Sequence, residues 1–251
     1  MYHGLYQDEE DLKRIDPEDR PYAISVDQFS QQLKVLNRYS SGFLQPEAAD
    51  NPQVIVTFDD GHVSNYDRAL PLLLDCGVKA CFFVTSDFVN QRQYFCSSAQ
   101  LREMADAGMV IGGHGKTHRF FADLAPDIAV EEFTASKKFL EDATGHGVHT
   151  MSFPGGRYSP DNIGQAQNCG YREIYGSGFG PVALRAGSCI SPINRIALKQ
   201  TTSLESFQQI VAGDRQYYAR ESVKSSCKTL VKRVLGNNRY HALYKFAAER
   251  H

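Results

Sequence analysis

Short apolar runs of strand length alternate along this chain with longer stretches whose apolar residues recur at helical spacing. Strands are expected at Val54–Phe58, Lys79–Val84, Met109–Ile111, Thr150–Phe153, within 170–176 and at Ile193–Leu198, after a short first strand around Tyr2. Helices are expected between them. One begins at Ser25, a candidate cap, and carries Phe29, Leu33 and Leu36 on one face. Another runs from Asn65 to Cys76, with Ala69, Leu70, Leu73 and Leu74 inward and Gly77 as its stop. Further helices are expected at Ser98–Ala107, capped by Ser97 or Ser98, at Leu124–Gly145 and at Ser159–Cys169. Nearly continuous apolar strands are those covered on both faces, and regular strand–helix alternation predicts an α/β fold, a parallel (β/α) barrel.

Two regions stand outside this alternation. Asp8–Arg20 is acidic and interrupted by Pro17, and is expected to be a surface loop flanking the groove. From Ser222 onward lysines and arginines are interleaved with Leu230, Val231, Val234, Leu235 and other apolar residues. Residues 221–251 therefore read as a basic amphipathic C-terminal helical extension, packed on a barrel formed by residues 1–220. The same basic face would also suit a membrane surface carrying anionic lipid or a polyprenyl-linked glycan.

A chain of 251 residues with 42% hydrophobic content is long enough for one full core, so a single domain is expected. A net charge of -2 gives no global basic field, which argues against nucleic acid as a partner. The six cysteines form no C-x-x-C pair and read as reduced thiols. With no apolar run of about 18 residues and no charged-then-apolar leader, neither a transmembrane helix nor a signal peptide is expected, and the cytoplasm, at the inner face of the membrane, is the expected location. Tyr2-His3 lies so close to the start that the first strand is expected to be incomplete.

Candidate chemistry begins where the run Val54–Phe58 ends abruptly in Asp59-Asp60-Gly61. Adjacent carboxylates repel, and acids and glycine are poor strand residues, so the pair belongs at a strand end, where α/β proteins keep their sites. Neighbouring positions point in opposite directions, so one acid could bind a cation while the other moves a proton. The second signal is His114-x-x-x-His118, directly after the apolar run Met109–Ile111. Two imidazoles and one carboxylate with an open fourth position form a usual catalytic zinc set.

Together these residues resemble the motifs of the polysaccharide deacetylases, in particular their exopolysaccharide-biosynthesis branch. Thr57-Phe58-Asp59-Asp60-Gly61 is similar to the family's first motif and His114 to His118 to its second. The resemblance implies a distorted barrel of about seven strands, with Asp59 as general base and Asp60, His114 and His118 as ligands of a divalent ion. Zinc is the expected ion, and cobalt, nickel or manganese would also suit the set. Such an ion would acidify its water and polarise an amide carbonyl. The implied reaction removes N-acetyl groups from an amino sugar of a polysaccharide or lipid-linked glycan.

Ser152-Phe153-Pro154-Gly155-Gly156-Arg157-Tyr158 looks like the family's substrate-lining loop, which makes Pro154, Gly155, Arg157 and Tyr158 candidate substrate contacts, along with His3 near the N-terminus. Three departures accompany the match. Many members place an arginine two residues before the proline to hold the base; here that residue is Ser152, and Arg157 is the candidate substitute. The chain has no tryptophan for an aromatic wall. Where a late histidine usually acts as general acid, the chain reads Ile193-Asn194-Arg195-Ile196-Ala197-Leu198. A guanidinium keeps its proton at neutral pH, so Arg195 is expected to stabilise oxyanion charge. The competing readings are hydrolysis of a non-sugar amide or cyclic ureide at the same metal site, and a catalytically weak glycan-binding protein.

Overall fold

The computed structural model describes residues 1–41, 53–180 and 192–224. Two short parallel pairs come first: β1 (Leu5–Tyr6) with β2 (Ile24–Ser25), and β3 (Ser40–Ser41) with β4 (Gln53–Val54). The main sheet is β5 (Val56–Phe58), β6 (Ala80–Val84), β7 (Val110–Gly113), β8 (Thr150–Ser152) and β9 (Glu173–Tyr175), in that spatial order and parallel throughout. Parallel neighbours need crossovers. These are α3 (Leu70–Asp75), α4 (Ser98–Asp106), α5 (Pro126–Thr144) and α6 (Pro160–Asn168); α1 (Glu9–Lys13) and α2 (Val26–Leu36) precede the sheet and α7 (Leu204–Val211) follows it.

Single parallel bridges add one segment at each edge, Tyr2 to Phe58 and Ile193 to Tyr175. The outermost segments then meet: the Met1 nitrogen donates to the Ile196 carbonyl (3.0 Å) and the Leu198 N–H to the Met1 carbonyl (3.0 Å). The sheet thus curls into a distorted barrel with helices outside. Residues 193–198 contribute a bridge and these bonds, not the regular strand expected there. The run Val54–Phe58 is likewise divided, β4 pairing with β3 and β5 with β6, with Ile55 between them.

Strand alternation sorts the interior into two clusters. Phe58, Phe82 and Val84 face the helices with Tyr2, Phe29, Leu33, Leu101, Met104 and Phe133, all buried. Cys81, Phe83, Tyr175 and Ile193 form a small cluster on the inner side.

Capping chemistry fixes the helix ends. Ser25 accepts from the Gln28 N–H, Ser97 and Gln100 form a capping box, and α5 stops at Gly145 with φ 77°. Two expectations fail. Asp8–Arg20 is not all loop: Asp8 caps α1, and Asp11 turns inward to pair with Arg68 (2.6 Å) and Arg14 (3.1 Å). Leu74 is 45% exposed, because Asn65–Ala69 is wound as a wider π-helical turn that shifts the helical phase ahead of α3. No described helix is long and apolar enough to cross a membrane. The basic extension expected at 221–251 lies outside the described residues beyond Lys224, as do Cys189 and Cys227.

Candidate active site

Asp59 and Asp60 sit where β5 leaves the sheet, and both are buried. The Asp59 N–H donates to the Tyr2 carbonyl (2.9 Å), the last bond of the strand edge. At Asp60 the backbone turns into the left-handed region with φ 75°. Across the sheet edge, β7 delivers His114, 1% exposed, and the following loop delivers His118, also left-handed at φ 64°. Non-glycine residues rarely adopt this conformation, and it persists where the surroundings over-determine it.

The three side chains converge. Asp60 Oδ1 lies 3.3 Å from His114 Nε2 and 3.1 Å from His118 Nε2. One ligand atom from each lies within 4.8 Å of the other two. Ligand atoms placed about 2.0–2.2 Å from one ion at tetrahedral angles are about 3.4 Å apart, so the set fits a divalent metal. His114 Nδ1 lies 3.0 Å from the Ser152 carbonyl, which only accepts, and 2.6 Å from the Ser152 hydroxyl. That partner assigns the proton to Nδ1 and turns the Nε2 lone pair toward Asp60, the arrangement a ligand requires. Burial pushes the Asp60 carboxyl up, but the close approach of the His114 and His118 rings outweighs it and the group lies well below its usual range. Burial pulls His118 down, and Asp60 reverses this to a net rise.

Asp59 has a different partner. Arg195 grips it bidentately, Nη1 to Oδ1 at 2.6 Å and Nη2 to Oδ2 at 2.8 Å. The same guanidinium donates to the Thr57 hydroxyl (3.2 Å) and, through Nε, to the Gly176 carbonyl (2.9 Å), and it lies over the Phe83 ring at 4.9 Å. Burial raises the Asp59 carboxyl, and Arg195 and His114 more than offset this, leaving it below its ordinary value. Arg195 thus turns its paired donors to the Asp59 carboxylate, with Thr57 and Gly176 as further partners. Arg157 does not substitute for an orienting arginine: it is exposed, paired with Asp123 (3.1 Å) and stacked over Phe120 at 4.4 Å.

The other sequence candidates divide. His3 packs its ring on Tyr22 at 5.2 Å, and burial lowers its proton affinity, which the charges of Asp60 and Asp59 only partly offset. Its buried Nδ1 has no partner among the described residues. Pro154 is buried, Gly155 is exposed beside Phe120, and Tyr158 stacks on the core ring of Phe153 at 4.6 Å, so its face is already occupied. Among the aromatic rings nearby, Tyr22 packs on His3 and Phe88 on His118 at 5.9 Å, while Phe120 is 38% exposed and lies under Arg157. Asp19 was not foreseen. Burial and the charge of Asp60 push its carboxyl up to about 7. Its position in an acidic tract gave no signal distinguishing it from Asp16 or Glu18.

The family model for polysaccharide deacetylases matches residues 47–174, just over half of the chain. The chain belongs to the polysaccharide deacetylase family. Bacillus subtilis YxkH, which carries a polysaccharide-deacetylase name, is 31% identical over 119 residues, covering 47% of this chain and 42% of that relative. The chain thus matches less than half the length of this curated relative. Among solved structures, the Streptococcus pyogenes deacetylase PplD, in complex with acetate, superposes with a TM-score of 0.71 at 24% identity, covering 85% of this chain and 96% of the other. The de-N-acetylase from Aggregatibacter actinomycetemcomitans superposes with a TM-score of 0.70 at 19% identity, covering 83% and 97%. These two establish the shared fold.

Proposed function

We propose that this polysaccharide deacetylase family member is a metal-dependent hydrolase that removes N-acetyl groups from an amino sugar of a polysaccharide or lipid-linked glycan. One observation carries the reading: a two-histidine, one-carboxylate set stands beside a second carboxylate that takes no part in it and is gripped by an arginine. A protein that only bound glycan would have no use for that second acid.

Asp60, His114 and His118 would hold the ion, with zinc expected and cobalt, nickel or manganese also compatible. When bound, it supplies Lewis-acid polarisation of the amide carbonyl and acidifies a water. Asp59, kept ionised by Arg195, would accept the proton of the attacking water. His3, an imidazole outside the ligand set whose proton affinity burial lowers, is assigned as a substrate contact. Tyr22 and Phe88, whose rings pack on His3 and His118, would supply apolar surface for a sugar. We place the activity in the cytoplasm at the inner membrane face, through the basic residues of 221–251; sequence composition supports this.

The test is acetate release from N-acetylated oligosaccharides by the full chain, with and without chelator. Chelator-sensitive release, abolished in Asp59→Asn with metal content unchanged, is expected. Bound metal without acetate release would move the assignment to another amide or a cyclic ureide.

A further inference from the structure

The loop between the two histidines is bonded on both sides of its backbone. On the carbonyl side, the N–H groups of Ser86 and Asp87, just past β6, donate to Gly115 (3.3 Å) and Lys116 (2.9 Å). On the amide side stands Glu132 of α5. Its Oε2 accepts from the N–H groups of Lys116 (2.6 Å) and Thr117 (2.9 Å), and its Oε1 from the Thr117 hydroxyl (2.5 Å).

Glu132 is 3% exposed and lies on the inward stripe of α5 with Ala129, Phe133, Ser136 and Leu140. Packing does not call for an acid there, because burying a carboxylate is costly unless hydrogen bonds compensate it. All three bonds go to the two residues preceding His118. Within this loop Gly115 has φ 75° and His118 φ 64°. For a non-glycine residue such as His118 the left-handed conformation costs about 1–2 kcal/mol and must be held from outside. A Cβ at Gly115 would also come within 3.2 Å of Glu132 Oε2, so the carboxylate and the loop are fitted closely.

We infer that Glu132 is a positioning residue of the metal centre, clamping the Lys116–Thr117 backbone so that His118 keeps the conformation that directs Nε2 at Asp60. The inference rests on the metal-site reading above. It adds a residue that touches neither ion nor substrate and acts through the second histidine.

Equilibrium binding of Co(II) and Zn(II) to the full chain, measured by competition with a chromophoric chelator and by the Co(II) visible spectrum, tests it. Glu132→Ala is expected to retain wild-type circular dichroism, bind both ions about 10–100-fold more weakly, and show an altered cobalt band. Glu132→Gln should recover most of the affinity, since its amide oxygen accepts from the two N–H groups and its NH2 group donates to the Thr117 hydroxyl. Thr117→Val removes one of the three bonds with the shape kept and should weaken binding about threefold; it carries the test if Glu132→Ala does not fold. Wild-type affinity and an unchanged cobalt spectrum in Glu132→Ala, or in Thr117→Val where the alanine variant is unfolded, would overturn the role of Glu132. Failure of the wild-type chain to bind either ion, or unchanged binding in Asp60→Asn, would instead overturn the metal site itself.

Discussion

Between the sheet and its helices, Tyr2, Phe58 and Phe82 stack in series, with ring centroids 5.1 Å and 4.9 Å apart, and Phe29 packs edge-on against the first two. Inside the curl, Cys81, Phe83, Tyr175 and Ile193 make a much smaller cluster, and above it sits an ion pair, Arg195 with Asp59, both side chains 5% exposed. The outer layer contains what stabilises a fold: large apolar rings worth about 1.5–3 kcal/mol each on burial. The inner layer contains what stabilises one particular charge. A buried pair repays its desolvation only with good geometry and further hydrogen bonds, and Arg195 has both. The difference shows where stability has been given up for a site.

The comparison can be broken or sharpened in steps. The largest effect should come from Asp60→Asn, which removes the one acid in the ligand set: metal content and acetate release fall to background, while the melting temperature of metal-stripped protein does not drop. Next is Arg195→Met, which leaves Asp59 buried and unpaired and should cost about 3–5 kcal/mol by denaturant titration. Adding Asp59→Leu should restore most of that stability and none of the activity. Because Arg195 holds the Asp59 carboxyl below its ordinary 3.8, the stability this acid contributes is complete above that pH and is lost as pH falls through the lower folded value. The gap between wild type and Arg195→Met should therefore narrow in acid.

In the outer layer, Phe82→Leu should cost about 1.5 kcal/mol with metal affinity unchanged. If it weakens metal binding as well, the two layers are not independent. The smallest effect concerns Asp19, whose carboxyl is raised to about 7 from 3.8. A raised acid costs the folded state progressively as pH climbs between those values. Asp19→Asn should thus raise the melting temperature of metal-stripped protein above neutrality and leave it unchanged below pH 4.

Most of the alternation of strands and helices was legible, because apolar spacing and serine caps such as Ser25 and Ser97 are local signals. Asp59, Asp60, His114 and His118 stood out because charged and glycine residues interrupt apolar runs there. Partnerships were less legible. Arg195 stood out as a departure, but nothing in Ile193-Asn194-Arg195 says that its guanidinium crosses the curl to a carboxylate. Glu132 has only a faint sequence signal, an acid one residue before Phe133, and its place on the inward stripe with Ala129, Phe133, Ser136 and Leu140 appears only in the folded helix. The helix at Glu9–Lys13 was hidden because its stability comes from the Asp8 cap and the Asp11–Arg68 pair, not from an apolar stripe.

The contact between Arg195 and Asp59 joins residues 136 positions apart. All three ligand candidates lie within residues 47–174, the segment the family model matches, while the arginine lies beyond it. During N-to-C synthesis the three candidate ligands are therefore all in the chain before the arginine that grips Asp59. On the proposed reading, ion binding needs only the earlier segment while turnover also needs the one that closes the ring, so turnover would report completed folding.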